Sequence, residues 1–269
     1  MSPLWRDELR IWFAPGELRL RRMQRGLRPS CAADATLPID STWDWRPALE
    51  SLDGCLGVET WSGAGVRVVV SNRLARYAVV PWADSLTYEA EHLAHARICL
   101  ADNYGNTGAD WRVSLSDAPA GESRVACALP AALLDELRAL LDARGVPLLS
   151  VQPALVDAYN RCRHLLPKSA CWFVNIESSV LVATRLGAKG WESVYSARIG
   201  SDWPTELLRL RMFAKLGAEH ASDARIYVDG PERLHGEIGD DDPGIVWLRS
   251  AESGVIDDDA HRQSVSLQT

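Results

Sequence analysis

The stretch from Cys171 to Gly200, CWFVNIESSVLVATRLGAKGWESVYSARIG, decides the fold. Val174 and Ile176, then Val180 and Val182, stand at the two-residue spacing that lines one face of a strand. Gly187 to Gly190 supply a turn, and Trp191, Tyr195, Ala197 and Ile199 carry the pattern back. Asp202 then offers an N-cap and Pro204 sits in a first turn. The spacing of WPTELLRLRMFAKLG predicts a helix with Trp203, Leu207, Leu210, Phe213 and Ala214 inward. Strand, tight loop, strand, turn, strand and helix follow one another within about fifty residues.

Upstream, Leu9–Phe13 and Glu17–Met23 predict a hairpin around Ala14-Pro15-Gly16, and residues 28–42 predict a loop. Trp45–Leu56 predicts a helix, Val66–Val70 a buried strand, and Tyr77–Pro81 a strand stopped by its proline. A helix over Ser85–Asn103 is expected to turn Leu86, Ala90, Leu93, Ala94 and Leu100 inward. Two strands, Trp111–Leu115 and Arg124–Leu129, precede a Leu-rich helix that Pro130 opens and Gly145 closes. Leu148–Val151 and Pro153–Arg163 predict a strand and a helix that lead into the central stretch. Ala224–Asp229 and Gly244–Arg249 predict strands beyond it. This alternation indicates an α/β protein.

The chain has 269 residues, enough for two lobes of one unit. A net charge of −7 argues against a general nucleic-acid binder, which needs a basic excess to neutralise phosphates. No apolar run approaches the roughly 18 residues needed to cross a bilayer, and MSPLWRDELR has no signal-peptide core. Six cysteines without a C-x-x-C pair point to reduced thiols and a cytosolic compartment.

The order of these elements resembles the actin-like ATPases. Within them it is similar to the PilM family of type IV pilus assembly and to the actin-like cytoplasmic domain of the type II secretion L-type platform protein. The resemblance runs from Leu9 to about Arg249. It is carried by VRVVVS, the Arg-x-x-Val-Val-Pro segment Arg76–Pro81, the acidic helix, the Leu-rich helix, VPLLSV and the helix ending in Asn160-Arg161. It implies a two-lobed, ribonuclease H-like fold: 1–70 as part of the first lobe, 71–147 as an inserted subdomain, and 148–250 as the rest of the first lobe plus the second. Residues 251–269 are expected to form a disordered polar tail.

The resemblance also implies where a nucleotide would bind, and there the motifs are degenerate. The family's second phosphate loop reads Asp-x-Gly; Asn175-Ile176-Glu177 stands in its place. The glutamate sets a negative side chain where a glycine would admit a negative phosphate. The first loop, Phe13-Ala14-Pro15-Gly16, has no Asp, and Arg19 or Arg21 stands where a Lys is sought. In the adenosine loop Gly230 remains, but Pro231 and Glu232 replace small residues. No cofactor and no metal are expected, and the chain is expected to be a pseudo-ATPase. The alternative is an actin-like or sugar-kinase-like phosphotransferase or ATPase that still uses ATP.

What the resemblance implies instead is a scaffold. Its partner would be the short cytoplasmic tail of a single-pass inner-membrane protein, with an assembly ATPase and a homodimer as further associations. The chain would lie in the cytoplasm, peripheral at the inner membrane through that partner, with no membrane insertion of its own. Arg73, Arg76, Tyr77 and Trp82, in SNRLARYAVVPW, are the candidate contacts with the tail. The competing expectation is that the arginines are solvated and the aromatics belong to a local core.

Three other groups are weaker. His92, His95 and Cys99, at i, i+3 and i+7, are metal-capable, but a solvated helix face is the stronger expectation. The runs Asp240–Asp242 and Asp257–Asp259 lack the spacing of a calcium loop. Ser178 and Ser179 lack the surroundings of a nucleophile.

Overall fold

The structure is a computed structural model. It describes residues 7–14, 16–24, 26, 30–40, 44–105, 110–200, 202–216, 225–231, 234 and 244–248. Pro15, Glu232, both aspartate runs and the 251–269 tail lie outside the described residues. Two compact units, Met1–Asp157 and Ala158–Thr269, divide the chain.

In the first unit, β1 (Glu8–Ala14), β2 (Glu17–Gln24), β3 (Ser30–Pro38), β4 (Gly65–Val70) and β8 (Leu148–Pro153) form one sheet in the order β3-β2-β1-β4-β8. The first three strands are antiparallel neighbours; β4 and β8 run parallel to β1. Leu9, Ile11, Phe13, Leu18, Leu20, Val66, Val68 and Val70 are buried, as their alternation requires. Helix α1 (Arg46–Leu56) is buried through Ala48, Leu49, Leu52 and Leu56.

Between β4 and β8 the chain makes a second, three-stranded sheet from β5 (Arg76–Val80), β6 (Trp111–Leu115) and β7 (Arg124–Pro130), in the order β5-β7-β6. Helix α2 (Glu89–Tyr104) packs on it through Ala96 and Leu100, and helix α3 (Ala131–Ala143) follows β7 with Leu133, Leu137 and Leu141 buried. Helix α4 (Ala154–Cys162) runs on from β8.

The second unit holds β9 (Cys171–Ile176), β10 (Val180–Gly187), β11 (Gly190–Arg198), helix α5 (Trp203–Leu216), β12 (Ile226–Asp229) and β13 (Ile245–Trp247). Its sheet order is β11-β10-β9-β12-β13. Here too the first three strands are antiparallel and the last two parallel to the first. The two large sheets therefore have one topology, although no sequence repeat betrays it. Val174, Ile176, Leu181, Ala183, Trp203, Leu207, Leu210, Ile226 and Val228 form the second unit's core.

Three expectations are corrected. Residues 30–38 form β3 rather than a loop, paired from Glu17↔Pro38 to Gln24↔Ser30 with an irregularity at Arg22/Met23. SCAADATLP has no large apolar residue but Leu37, and the strand is an edge strand with one neighbour, so its pattern carries no burial signal. Helix α2 begins at Glu89, where Glu91 closes a capping box on Tyr88, and its buried face is Ala96 and Leu100 rather than Ala90 and Ala94. In α5, Arg211 is buried and Phe213 is 58% exposed.

Candidate functional site

The β9–β10 hairpin is closed by the chain itself. The backbone N–H of Glu177 donates to the carbonyl oxygen of Val180 at 2.9 Å, so this amide is engaged within the hairpin. Asn175 is 5% exposed, and its side-chain amide donates to Asp229 Oδ2 at 3.0 Å. Asp229, at the end of β12, also accepts from Arg161 at 3.2 Å and from the Cys162 thiol at 3.6 Å, both on the last turn of α4. A buried carboxylate needs such compensation, and Arg161 supplies the charge. Gly230 follows Asp229. A Cβ there would lie 3.3 Å from Ile176 Cβ and 3.5 Å from Ile176 O, so close packing against β9 favours a glycine apart from any nucleotide.

The β1–β2 hairpin is closed in another way. Gly16 has φ +85°, a left-handed conformation that favours glycine, and its carbonyl accepts from Ile39 N at 2.8 Å. Arg19 reaches Asp34 Oδ1 at 3.1 Å and Oδ2 at 2.9 Å; Arg21 reaches Oδ2 at 2.9 Å through Nε and again through its terminal nitrogen. Both arginines at the position of the sought lysine are thus held by one carboxylate on β3. Burial pushes the Asp34 carboxyl up, but the hydrogen bonds and charges of Arg19 and Arg21 outweigh it and hold the group below its ordinary value. Sequence reasoning missed Asp34 because it missed β3. It missed Asp229 too, although an aspartate ending an apolar strand beside a glycine was a usable signal.

The segment after β4 divides by depth. Asn72 is buried, and its side-chain oxygen accepts from the Tyr77 hydroxyl and from Leu155 N, the latter at 2.8 Å. Tyr77 is 2% exposed. Arg73 lies in a single 3-10 turn, Asn72–Leu74, whose N-cap Ser71 accepts from Arg73 N at 3.2 Å. The Arg76 guanidinium lies 3.9 Å from the Trp111 ring centre and 5.4 Å from that of Tyr104, at cation–π distance. Trp82, half-buried, donates to Asp84 at 2.6 Å, and its ring is 6.3 Å from His92. Arg73, Arg76, Trp82 and Trp111 are half-buried and Tyr104 is exposed, so these side chains keep reachable surface, while Tyr77 is core.

His92, His95 and Cys99 do not form a solvated face, which corrects that expectation. All three are half-buried, and Cys99 packs against the Ala96 and Leu100 core. No group of three or more metal-capable side chains gathers among the described residues. Ser178 is exposed beside the hairpin. Among the described residues no helix is long and apolar enough to cross a membrane.

Two five-stranded sheets of one topology are the core of the actin-like ATPase fold, and the comparisons with solved structures agree. A Bacteroides thetaiotaomicron protein with an actin-like ATPase fold and unknown function matches over 92% of this chain and 94% of its own, at TM-score 0.60 and 10% identity. A PilM–PilN type IV pilus biogenesis complex matches over 91% and 89%, at 0.62 and 13%. The cytoplasmic domain of EpsL, an inner-membrane component of the Vibrio cholerae type II secretion system, matches over 84% and 82%, at 0.56 and 9%. At these identities the shared property is the fold. No protein-family model and no curated protein matches the sequence.

Proposed function

We propose that this chain is a non-catalytic scaffold of an inner-membrane assembly platform of the type IV pilus or type II secretion kind. It would hold the cytoplasmic tail of a single-pass membrane partner and lie at the inner membrane through it. The likeness to a PilM–PilN complex and to the EpsL cytoplasmic domain, each over more than four-fifths of both chains, supports this class.

The observation that carries the non-catalytic reading is the Asn175–Asp229 hydrogen bond. At the position where the family's second loop carries a metal- or water-positioning carboxylate, this chain has an amide turned inward onto its own aspartate. A neutral amide supplies no charge to a metal ion, and Glu177 beside it opposes an incoming phosphate. In the first unit, Arg19 and Arg21 are likewise engaged by Asp34 rather than presented to an anion. We place the partner's tail against Arg76, Trp82 and Trp111, with Arg73 at the margin, since arginine and tryptophan with reachable surface are the usual anchors of such contacts.

The test is a calorimetric titration with the cytoplasmic-tail peptide of any single-span membrane protein found encoded beside this one. Wild type is expected to bind, and an Arg76→Ala/Trp82→Ala variant to bind at least about tenfold more weakly. An unchanged affinity in the folded variant removes these residues from the contact; no binding to wild type removes the scaffold reading. A thermal shift with millimolar Mg-ATP, or phosphate release that Asn175→Ala abolishes, would instead favour the ATPase or phosphotransferase alternative.

A further inference from the structure

Helix α5 buries one arc and exposes another that is equally apolar. Trp203, Leu207, Leu210, Arg211 and Ala214 face the core. On the other side Leu208 is 47% exposed, Met212 67%, Phe213 58% and Leu216 84%. At 3.6 residues per turn, Leu208, Met212 and Leu216 fall within roughly 80° of one another, with Lys215 on one flank and Arg209 and Phe213 on the other. A single exposed leucine is ordinary. A continuous stripe on one helix, edged by cations, is not.

The charge of this face is also unlike that of the chain. The protein carries −7 overall, whereas the exposed side of α5 holds two cations, Arg209 and Lys215 (Arg211 faces the core), and one carboxylate at its margin. That carboxylate, Glu206, accepts from the Tyr195 hydroxyl at 2.5 Å and lies 3.7 Å from Arg209, so it is engaged at the margin of the stripe. The Arg209 side chain is 62% exposed and its guanidinium lies 5.8 Å from the Phe213 ring. An outward apolar ridge with long cations at its edges is what an interfacial helix presents to a bilayer: the apolar side chains enter the acyl boundary, and the arginine and lysine extend to the headgroups.

We propose that α5 docks on an anionic phospholipid surface, with Leu208, Met212, Phe213 and Leu216 in the interface and Arg209 and Lys215 on the lipid phosphates. One helix face of this size gives a weak, reversible attachment, and it adds to whatever holds the protein at a membrane by other means. The inference is independent of the partner reading, because vesicles contain no partner.

The experiment is vesicle flotation of the full chain. Vesicles of equal parts phosphatidylglycerol and phosphatidylcholine are expected to carry the protein, and vesicles of phosphatidylcholine alone about tenfold less. Binding should fall as salt rises from about 0.1 to 0.5 M, because screening shortens the reach of the two cations. Met212→Asp/Leu216→Asp, at exposed positions, should melt as wild type does and float about tenfold less. Arg209→Glu/Lys215→Glu should abolish the preference for phosphatidylglycerol. The proposal is overturned if wild type stays in the soluble fraction with both vesicles, or if the Asp variant floats as well as wild type. It is equally overturned if light scattering shows a dimer that the Asp variant converts to monomer, since the stripe would then face a second copy.

Discussion

Asn175 and Asp229 face each other across β9 and β12, in register and joined by a 3.0 Å hydrogen bond. Asn175→Asp would therefore set two buried acids side by side. The expected cost is about 2–4 kcal/mol in urea unfolding at neutral pH. Mg-ATP should leave the variant's melting temperature unchanged; a shift would show that one substitution reopens the loop.

The Arg19–Asp34–Arg21 cluster gives an acid dependence. The folded-state pKa of Asp34 lies below its unfolded value, so its stabilisation is complete above the unfolded pKa and fades as pH falls through the folded one. Asp34→Asn should cost about 1–2 kcal/mol at pH 7, because Arg21 is buried and loses its carboxylate, and it should flatten that part of the acid-unfolding profile. A variant whose stability falls with acid as steeply as wild type's would count against this account.

Gly230→Ala separates packing from nucleotide recognition. The added methyl meets Ile176 at 3.3 Å, a contact that a shift of a few tenths of an ångström relieves, and should cost at most about 1 kcal/mol. The loss should be the same with and without Mg-ATP. A loss seen only with nucleotide would assign the glycine to a binding loop.

Thiol labelling should follow depth. None of the six cysteines, all among the described residues, is joined in a disulfide; Cys31 is exposed on β3, while Cys127, Cys162 and Cys171 are buried. Burial pushes the Cys171 thiol up to about 11 and raises that of Cys127 further. Iodoacetamide at pH 8 should modify Cys31 in the native protein and reach these three only after unfolding, as peptide mass mapping would show.

Most of the fold was legible because most of its strands are apolar enough to announce themselves. VRVVVS and CWFVNI can be little else than buried strands, and the Gly187–Gly190 turn places β10 against β11. β3 was not legible: SCAADATLP is held by backbone pairing and by Asp34, which give no periodic signal. Phe213 was misplaced because helical spacing marks an apolar stripe without saying which of two stripes meets the core. α5 carries both. The candidate loops were found through resemblance, but what occupies them was not. Asp34 lies thirteen residues from Arg21 and Asp229 lies fifty-four from Asn175, so the pairs that close the loops are made only by folding.

Helix α4 bears on how this protein can be taken apart. The boundary between the two units, Asp157 to Ala158, falls inside that nine-residue helix. Its first turn is held by Asn72 through Leu155 N, and its last turn by Asp229 through Arg161 and Cys162. A fragment cut at the boundary would inherit half a helix on either side, each half shorter than two turns and unable to nucleate alone. The upstream piece would lose the turn that carries Arg161, and the downstream piece would leave the capping oxygen of Asn72 behind. Dissection, domain exchange and circular permutation therefore need to keep α4 whole and accept an overlap between the two halves.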